Sequence, residues 1–193
     1  MGQVVVVTGI PGTGKTTVCN ELLKLTEAAG RNLAVINFGT VMVELSDKSD
    51  KSLHRDELRK SKLSFQRDLQ FEAAKIISER AMNAEGDVVV DTHMAIKTSE
   101  GYWAGLPLPV LKLLKPSMFV LVEAEPHDVL SRRFGDKTRR RDKALKSEVA
   151  EELVFSRLMA AACSVMTGAS VKIVKNPSGK QVEAAEEVLK ALR

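Results

Sequence analysis

Aromatic side chains are scarce in this chain: one Trp, one Tyr and six Phe among 193 residues, 4% in all. Its basic stretches therefore carry few rings for unpaired bases to stack on, Phe134 alone between Arg132 and Lys146, which argues against nucleic acid as a partner. Cysteine is scarcer still. Cys19 and Cys163 stand far apart and neither belongs to a C-x-x-C pair. That excludes a structural zinc site, makes a disulfide unexpected, and leaves both as small buried hydrophobes. No apolar run approaches the roughly 20 residues that a membrane-spanning helix needs, so no membrane partner is expected. Met1-Gly2-Gln3 leads into the first apolar run without a basic stretch, and Val6 stands where a myristoylation signal needs Ser or Thr; the expected compartment is the cytoplasm. An N-K-x-D guanine signature, internal repeats and low-complexity tracts are also lacking. A single domain over residues 1–193 is the reading.

What is present is concentrated near the start. Gly9-Ile10-Pro11-Gly12-Thr13-Gly14-Lys15-Thr16 has the form G-x-x-x-x-G-K-[ST]. Val4 to Val7 before it read as a buried parallel strand, and Lys15 to Ala28 after it as a helix. In that context glycines let backbone N–H groups turn toward phosphate oxygens, and the helix N-terminus adds a favourable dipole. Lys15 would reach the outer phosphates and the Thr16 hydroxyl would ligate Mg²⁺.

Strand and helix alternate through the rest. Strands are expected at Leu33 to Phe38, Val88 to Val90, Phe119 to Val122 and Val171 to Val174. Helical segments are expected from Val41, over Leu53 to Lys62, Ser64 to Ala84, Pro107 to Leu114 and Pro126 to Phe134, from an N-cap at Ser147 to about Met166, and over Lys180 to Leu192. The fold class is α/β: a three-layer P-loop fold with a five-stranded parallel sheet and helices on both faces. The site belongs at the carboxyl ends of the strands.

Asp91 closes the strand Val88-Val89-Val90 as a Walker B acid does, where a carboxylate holds Mg²⁺ through water or orients a substrate; His93 follows at the same cleft mouth. Charge is uneven. Arg132 to Lys146 hold eight basic and two acidic residues, a net +6, so the rest of the chain is −2 against a total of +4. In an extended segment Arg139 and Arg141 share a side, and guanidinium forks suit a transferring phosphoryl group. Arg55 and Arg59, four apart, share a helix face in an insertion too long for a plain connection.

With these pieces the chain resembles the P-loop nucleoside monophosphate kinases, and more closely the archaeal adenylate kinases. The resemblance rests on residues 9–17, on Asn37-Phe38-Gly39-Thr40, Arg55-Asp56-Glu57-Leu58-Arg59-Lys60, Asp91-Thr92-His93 and Arg139-Arg140-Arg141-Asp142, and on the late Asn176-Pro177-Ser178-Gly179. It implies ATP + AMP ⇌ 2 ADP with Mg²⁺, an AMP-binding lobe from about Gly39 to Ile77, and a short lid from about Asp136 to Lys143. By that likeness ATP lies on Gly9, Ile10, Pro11, Gly12, Thr13, Gly14, Lys15, Thr16 and Thr17, with Asn176 at the adenine. Lys15, Arg133, Arg139 and Arg141 embrace the moving phosphoryl group. Thr40, Arg59 and His93 hold AMP, and Thr16 and Asp91 serve the metal. Bacterial-type relatives place an arginine in D-G-F-P-R after the strand-three aspartate; here the stretch reads Asp91-Thr92-His93-Met94-Ala95-Ile96-Lys97. The resemblance also implies a homotrimer, for which the apolar helix Leu153 to Met166 could serve as interface or equally as interior core.

Two rival readings share the P-loop: a small-molecule hydroxyl kinase of shikimate-kinase type, and an ATP-switched RNA or ribosome-assembly factor. A nucleotide acceptor suits the arginine supply better. AMP's phosphate is already an anionic nucleophile, which needs positive charge to offset repulsion and no general base. A hydroxyl acceptor would need a carboxylate base, a role open only to Asp91.

Overall fold

The computed structural model describes residues 2–47, 62–98, 100–135 and 145–192. In chain order the elements are β1 Val4–Thr8, α1 Lys15–Ala28, β2 Leu33–Asn37, α2 Phe38–Asp47, α3 Leu63–Met82, β3 Asp87–Asp91, β4 Ala95–Thr98, β5 Gly101–Ala104, α4 Leu108–Leu114, β6 Met118–Glu123, α5 Pro126–Gly135, α6 Lys146–Thr167, β7 Ser170–Lys175 and α7 Gln181–Leu189. The expected helix over Leu53 to Lys62 lies, but for its last residue, outside the described residues. So do Arg55, Arg59 and the lid from Asp136 to Lys143, with Arg139 and Arg141.

Consecutive β-branched residues lose little by extending, and a strand apolar on both faces must be covered on both. The runs in β1, β3 and β6 do this. Five parallel strands form one sheet in the order β2-β3-β1-β6-β7. Alternation then sorts the side chains. Val5 and Val7 face α1 and α7, meeting Val18, Leu22, Ala185 and Val188. Val6, Val88 and Val90 face the other way, onto Val41, Ala73, Ile77, Val110 and Leu111. The two layers thus come from one period-two pattern. α2 and the second half of α3, which fall within the span expected for the AMP-binding lobe, bury Val41, Ala73, Ala74 and Ile77 in this main core.

The central strand β1 has β3 on one side and β6 on the other. The chain order therefore reverses direction across β1, and the loop that leaves it opens into the crevice where open α/β sheets bind ligands.

Four local features differ from expectation. Phe38 is not the last strand residue but the first of α2, with 2% exposure, because the Asn37 side chain caps the helix there. The stretch before α4 is not a plain loop: β4 and β5 form an antiparallel hairpin, paired from Ala95↔Ala104 to Thr98↔Gly101. Tyr102 anchors it to α6 by stacking on Phe155 with ring centroids 4.1 Å apart. Ser147 lies inside α6 rather than capping it. The N-cap is Leu145, whose N–H donates to Glu148 Oε2 at 2.7 Å; a carboxylate three residues in satisfies that donor without a hydroxyl. The last helix is shorter at both ends, Gln181–Leu189.

Candidate active site

Two glycines of the loop after β1 admit no side chain. Gly9 has φ 154°, and a Cβ there would lie 2.3 Å from the Val122 carbonyl oxygen. Gly14 has φ 86°, and a Cβ would lie 2.5 Å from Asn176 Nδ2. Only glycine combines that backbone with that approach. Between them Thr13 closes a turn, its N–H and its hydroxyl both donating to the Ile10 carbonyl at 3.3 and 3.0 Å. Gly14 is the N-cap of α1, no side chain caps the helix, and its first turn holds no acid. The terminal N–H groups and the positive end of the dipole are thereby left for an anion.

Lys15 is the first residue of α1 and only 7% exposed. Its ammonium donates to the Gly9 carbonyl at 2.9 Å and lies 3.4 Å from His93 Nε2. The loop lysine and the histidine after β3 thus meet, a contact the sequence reading did not name. Thr16 and Thr17 are exposed in the first turn of α1.

Asp91 is 4% exposed and accepts from Asn37 Nδ2 at 2.7 Å. Asn37 Oδ1 in turn accepts from the Thr40 N–H at 3.0 Å and lies 3.2 Å from its hydroxyl. Thr40 is therefore tied to Asp91 through one intervening amide. The buried Cys19 thiol, close enough to feel Asp91 and Lys15, is pushed up to about 12, chiefly by burial.

A second tier braces the loop from behind. The Thr13 carbonyl accepts from Asn176 Nδ2 at 2.8 Å and from Arg132 at 3.1 Å. Arg132 also donates to the Asn176 carbonyl at 2.9 Å. Arg133 donates from Nε to the Pro11 carbonyl at 2.8 Å and forks onto Glu152 at 2.6 and 3.3 Å. The Asn176 N–H reaches the Glu123 carbonyl at 2.7 Å. Burial pushes the Glu123 carboxyl up, but hydrogen bonds from Arg157 and Lys175 outweigh this and hold it below its usual value.

Sequence reasoning did not single out Asn37, Arg132 or Glu152 for a role. Asn37 had a visible signal, an Asn directly before a helical run, which is an N-cap pattern. Arg132 and Glu152 act on backbone carbonyls and on another side chain, and no motif marks such partners.

The donors available for a cation are the Thr16 hydroxyl and the Asp91 carboxylate. Both are hard oxygens, as Mg²⁺ prefers, and Mg²⁺ keeps several waters and binds through one or two carboxylates plus phosphate. Among the described residues no group of three or more His, Cys, Asp or Glu could cage a metal.

A family model described as an AAA domain matches residues 8–150. The adenylate kinase of Methanocaldococcus jannaschii is 41% identical over 191 residues, 99% of this chain and 98% of its own. That of Pyrococcus furiosus is 42% identical over 193 residues, 100% of this chain and 96% of its own. Among solved structures, TT1252 from Thermus thermophilus superposes with a TM-score of 0.60 at 15% identity, over 98% of this chain and 95% of its own. A shikimate kinase from Acinetobacter baumannii in complex with shikimate gives 0.58 at 15%, over 99% and 93%. At that identity these two show the fold alone. With relatives of such identity running end to end, the chain carries an AAA domain over residues 8–150 and belongs to the adenylate kinase family.

Proposed function

We infer that this chain catalyses reversible phosphoryl transfer from MgATP to AMP, giving two ADP. Together with the family membership, one observation carries the reading: the Lys15 ammonium lies between the Gly9 carbonyl and His93, at the seam between a phosphate-binding loop and the opposite wall of the cleft.

The donor triphosphate lies along residues 9–17, its outer phosphates meeting the free N–H groups of α1 and drawing Lys15 from the Gly9 carbonyl. Asn176 serves the adenine. Thr16 and Asp91 hold Mg²⁺, which when bound offsets phosphate charge. His93, Thr40 and Arg59 hold AMP, whose phosphate attacks in line without a base. Arg139 and Arg141 close on the transferring group from the lid, residues 136–143. Arg133 joins them once phosphate oxygens replace Glu152 as its partner. Charge spreads over that group in the transition state, so fixed guanidiniums lower the barrier electrostatically. The AMP lobe spans about residues 39–77. A homotrimer is the finer assembly reading; it is supported by an apolar stripe on α6, where Val154, Leu158 and Val165 are all more than half exposed. No helix of the described residues is long and apolar enough to cross a membrane, in keeping with a cytoplasmic enzyme.

The test is ADP formation from ATP with AMP, CMP, UMP, GMP and a panel of hydroxyl acceptors. Turnover with AMP is expected. Turnover of a hydroxyl acceptor without AMP activity, or ATP hydrolysis coupled to RNA binding alone, would overturn the reading.

A further inference from the structure

Asn176 follows β7 directly and is 2% exposed. Most of its polar atoms are committed. Its N–H donates to the Glu123 carbonyl at 2.7 Å, its carbonyl accepts from Arg132 Nη2 at 2.9 Å, and its Nδ2 donates to the Thr13 carbonyl at 2.8 Å. The remaining atom, Oδ1, is buried without a partner. A buried polar atom left unsatisfied costs stability. Leucine, branched at the same carbon, would avoid that cost. The amide is therefore explained by its nitrogen, and what the nitrogen does is hold the Thr13 oxygen.

That oxygen belongs to the peptide joining Thr13 to Gly14. Arg132 Nη1 donates to it as well, at 3.1 Å. In a trans peptide the carbonyl and the N–H point opposite ways in one plane. An oxygen drawn toward Asn176 and Arg132 thus turns the Gly14 N–H away from both. Gly14 is the N-cap of α1 with φ 86°, and its N–H has no acceptor among the described residues. A Cβ on Gly14 would lie 2.5 Å from Asn176 Nδ2 and 3.4 Å from Arg132 Nη1. Both donors therefore press on the same peptide from one side, and the other side is left to an anion. Glycine tolerates backbone on either side of φ zero, so an unheld peptide here is free to turn its carbonyl toward the phosphates. Arg132 reaches the oxygen with a long, partly exposed side chain; Asn176, short and buried, sets its place.

We propose that Asn176 is a positioning residue for phosphoryl transfer: through the Thr13 carbonyl it fixes the Gly14 N–H as a donor to the phosphates of the bound nucleotide. The inference rests on the phosphoryl-transfer reading above and deepens it. Asn176, set at the adenine by likeness, acts on the phosphates too, through the peptide it holds. A donor aimed before the reaction stabilises developing charge without reorganising.

The experiment compares the parent with Asn176→Leu, which keeps the shape and both main-chain bonds, and with Asn176→Asp, which sets a carboxylate oxygen against the Thr13 carbonyl. Each is read by kcat, by KM for ATP and AMP, by a thermal melt, and by the Gly14 amide resonance with and without MgADP. Labelling threonine carbonyls with ¹³C and glycine nitrogens with ¹⁵N isolates three amides, Gly9, Gly14 and Gly168; Gly168, at the C-cap of α6, is the control. Asn176→Leu is expected to melt close to the parent, to lower kcat by about tenfold or more with KM for AMP within about threefold, and to lose most of the Gly14 shift that MgADP causes in the parent. Asn176→Asp is expected to lower kcat further, and it supplies the answer should the leucine variant fail to fold. In the folded variants a kcat within about threefold of the parent's, or a Gly14 shift that survives in full, overturns this proposal alone. A parent that phosphorylates no nucleoside monophosphate overturns the phosphoryl-transfer reading, and this one falls with it.

Discussion

Asn37 and Asp91, register partners at the ends of adjacent parallel strands, are joined side chain to side chain at 2.7 Å. The same amide uses its oxygen to cap α2 through the Thr40 N–H. One residue therefore fixes both the start of the helix that follows β2 and the rotamer of the buried acid proposed to serve the metal. An acid held this way cannot swing freely to take a proton from an acceptor. That favours an orienting role for Asp91 over a general-base role and so favours an acceptor that is already anionic.

Asn37→Ala is expected to destabilise the fold by about 2 kcal/mol, from a lost cap and a lost hydrogen bond to a charged group, and to lower kcat more than it raises KM for ATP. Asn37→Asp keeps the cap acceptor but sets two carboxylates in contact. One of the pair then has its folded-state pKa raised, so its stability deficit at neutral pH shrinks as pH falls toward the carboxylate range. Urea denaturation at pH 7 and pH 5 reads this. A variant as stable as its parent at pH 7 would show that the link between the strands carries nothing.

Lys15→Met preserves much of the stem and removes the ammonium. The fold should persist, since Thr13, Asn176 and Arg132 still hold the loop, while kcat should fall by at least about a hundredfold, as when one preorganised donor to developing charge is deleted. Single-turnover phosphoryl transfer with trapped ADP separates chemistry from release. Near-parental rates would detach the loop from catalysis.

The five-stranded sheet and the phosphate loop were legible because each rests on local signals. Four valines in a row have one comfortable conformation, and the spacing of Gly9, Gly14 and Lys15 has one mechanical use. The hairpin was missed because its strands are only four residues each, and its links to α6, the stack of Tyr102 on Phe155 and the bonds of Lys97 and Tyr102 to Glu148 and Glu151, are distant in sequence. The cap of α6 was misplaced by two residues because a carboxylate at Glu148 does the work usually done by a hydroxyl. Arg132 and Arg133 were visible as charge, but their partners, the carbonyls of Thr13 and Pro11 and the carboxylate of Glu152, lie far away in sequence and can be read only from the folded chain.

Acid stability should depend on Glu123. It is 2% exposed, and Arg157 and Lys175 hold it ionised below its ordinary value of 4.5. A carboxyl with a depressed folded-state pKa contributes stability that is present above the unfolded value and is lost as pH falls through the folded one. The parent should therefore lose stability progressively below about pH 4.5. Glu123→Gln should be less stable at pH 7 and show a flatter decline below that point. Parallel melting curves against pH for the two proteins would remove Glu123 from the acid transition.

Arg133 and Glu152 allow a brace to be told from a catalytic group. Their side chains are each 10% exposed and meet at 2.6 Å, while Arg133 Nε holds the Pro11 carbonyl at 2.8 Å. Removing one partner of such a pair leaves a poorly solvated charge, at a cost of about 3–5 kcal/mol in the buried limit. Both Arg133→Ala and Glu152→Ala should therefore lower stability, and the double variant should fall short of the sum by about 0.5–3 kcal/mol. Catalysis should not follow stability. If Arg133 moves onto the transferring phosphoryl group, Arg133→Ala lowers kcat by about a hundredfold or more with little change in KM for AMP. Glu152→Ala, which frees the guanidinium without removing it, should keep kcat within about tenfold of the parent on the same scale. Equal losses of kcat in the two single variants, with no further loss in the double, would instead make the pair a brace for Pro11 and leave the phosphoryl group to Lys15, Arg139 and Arg141.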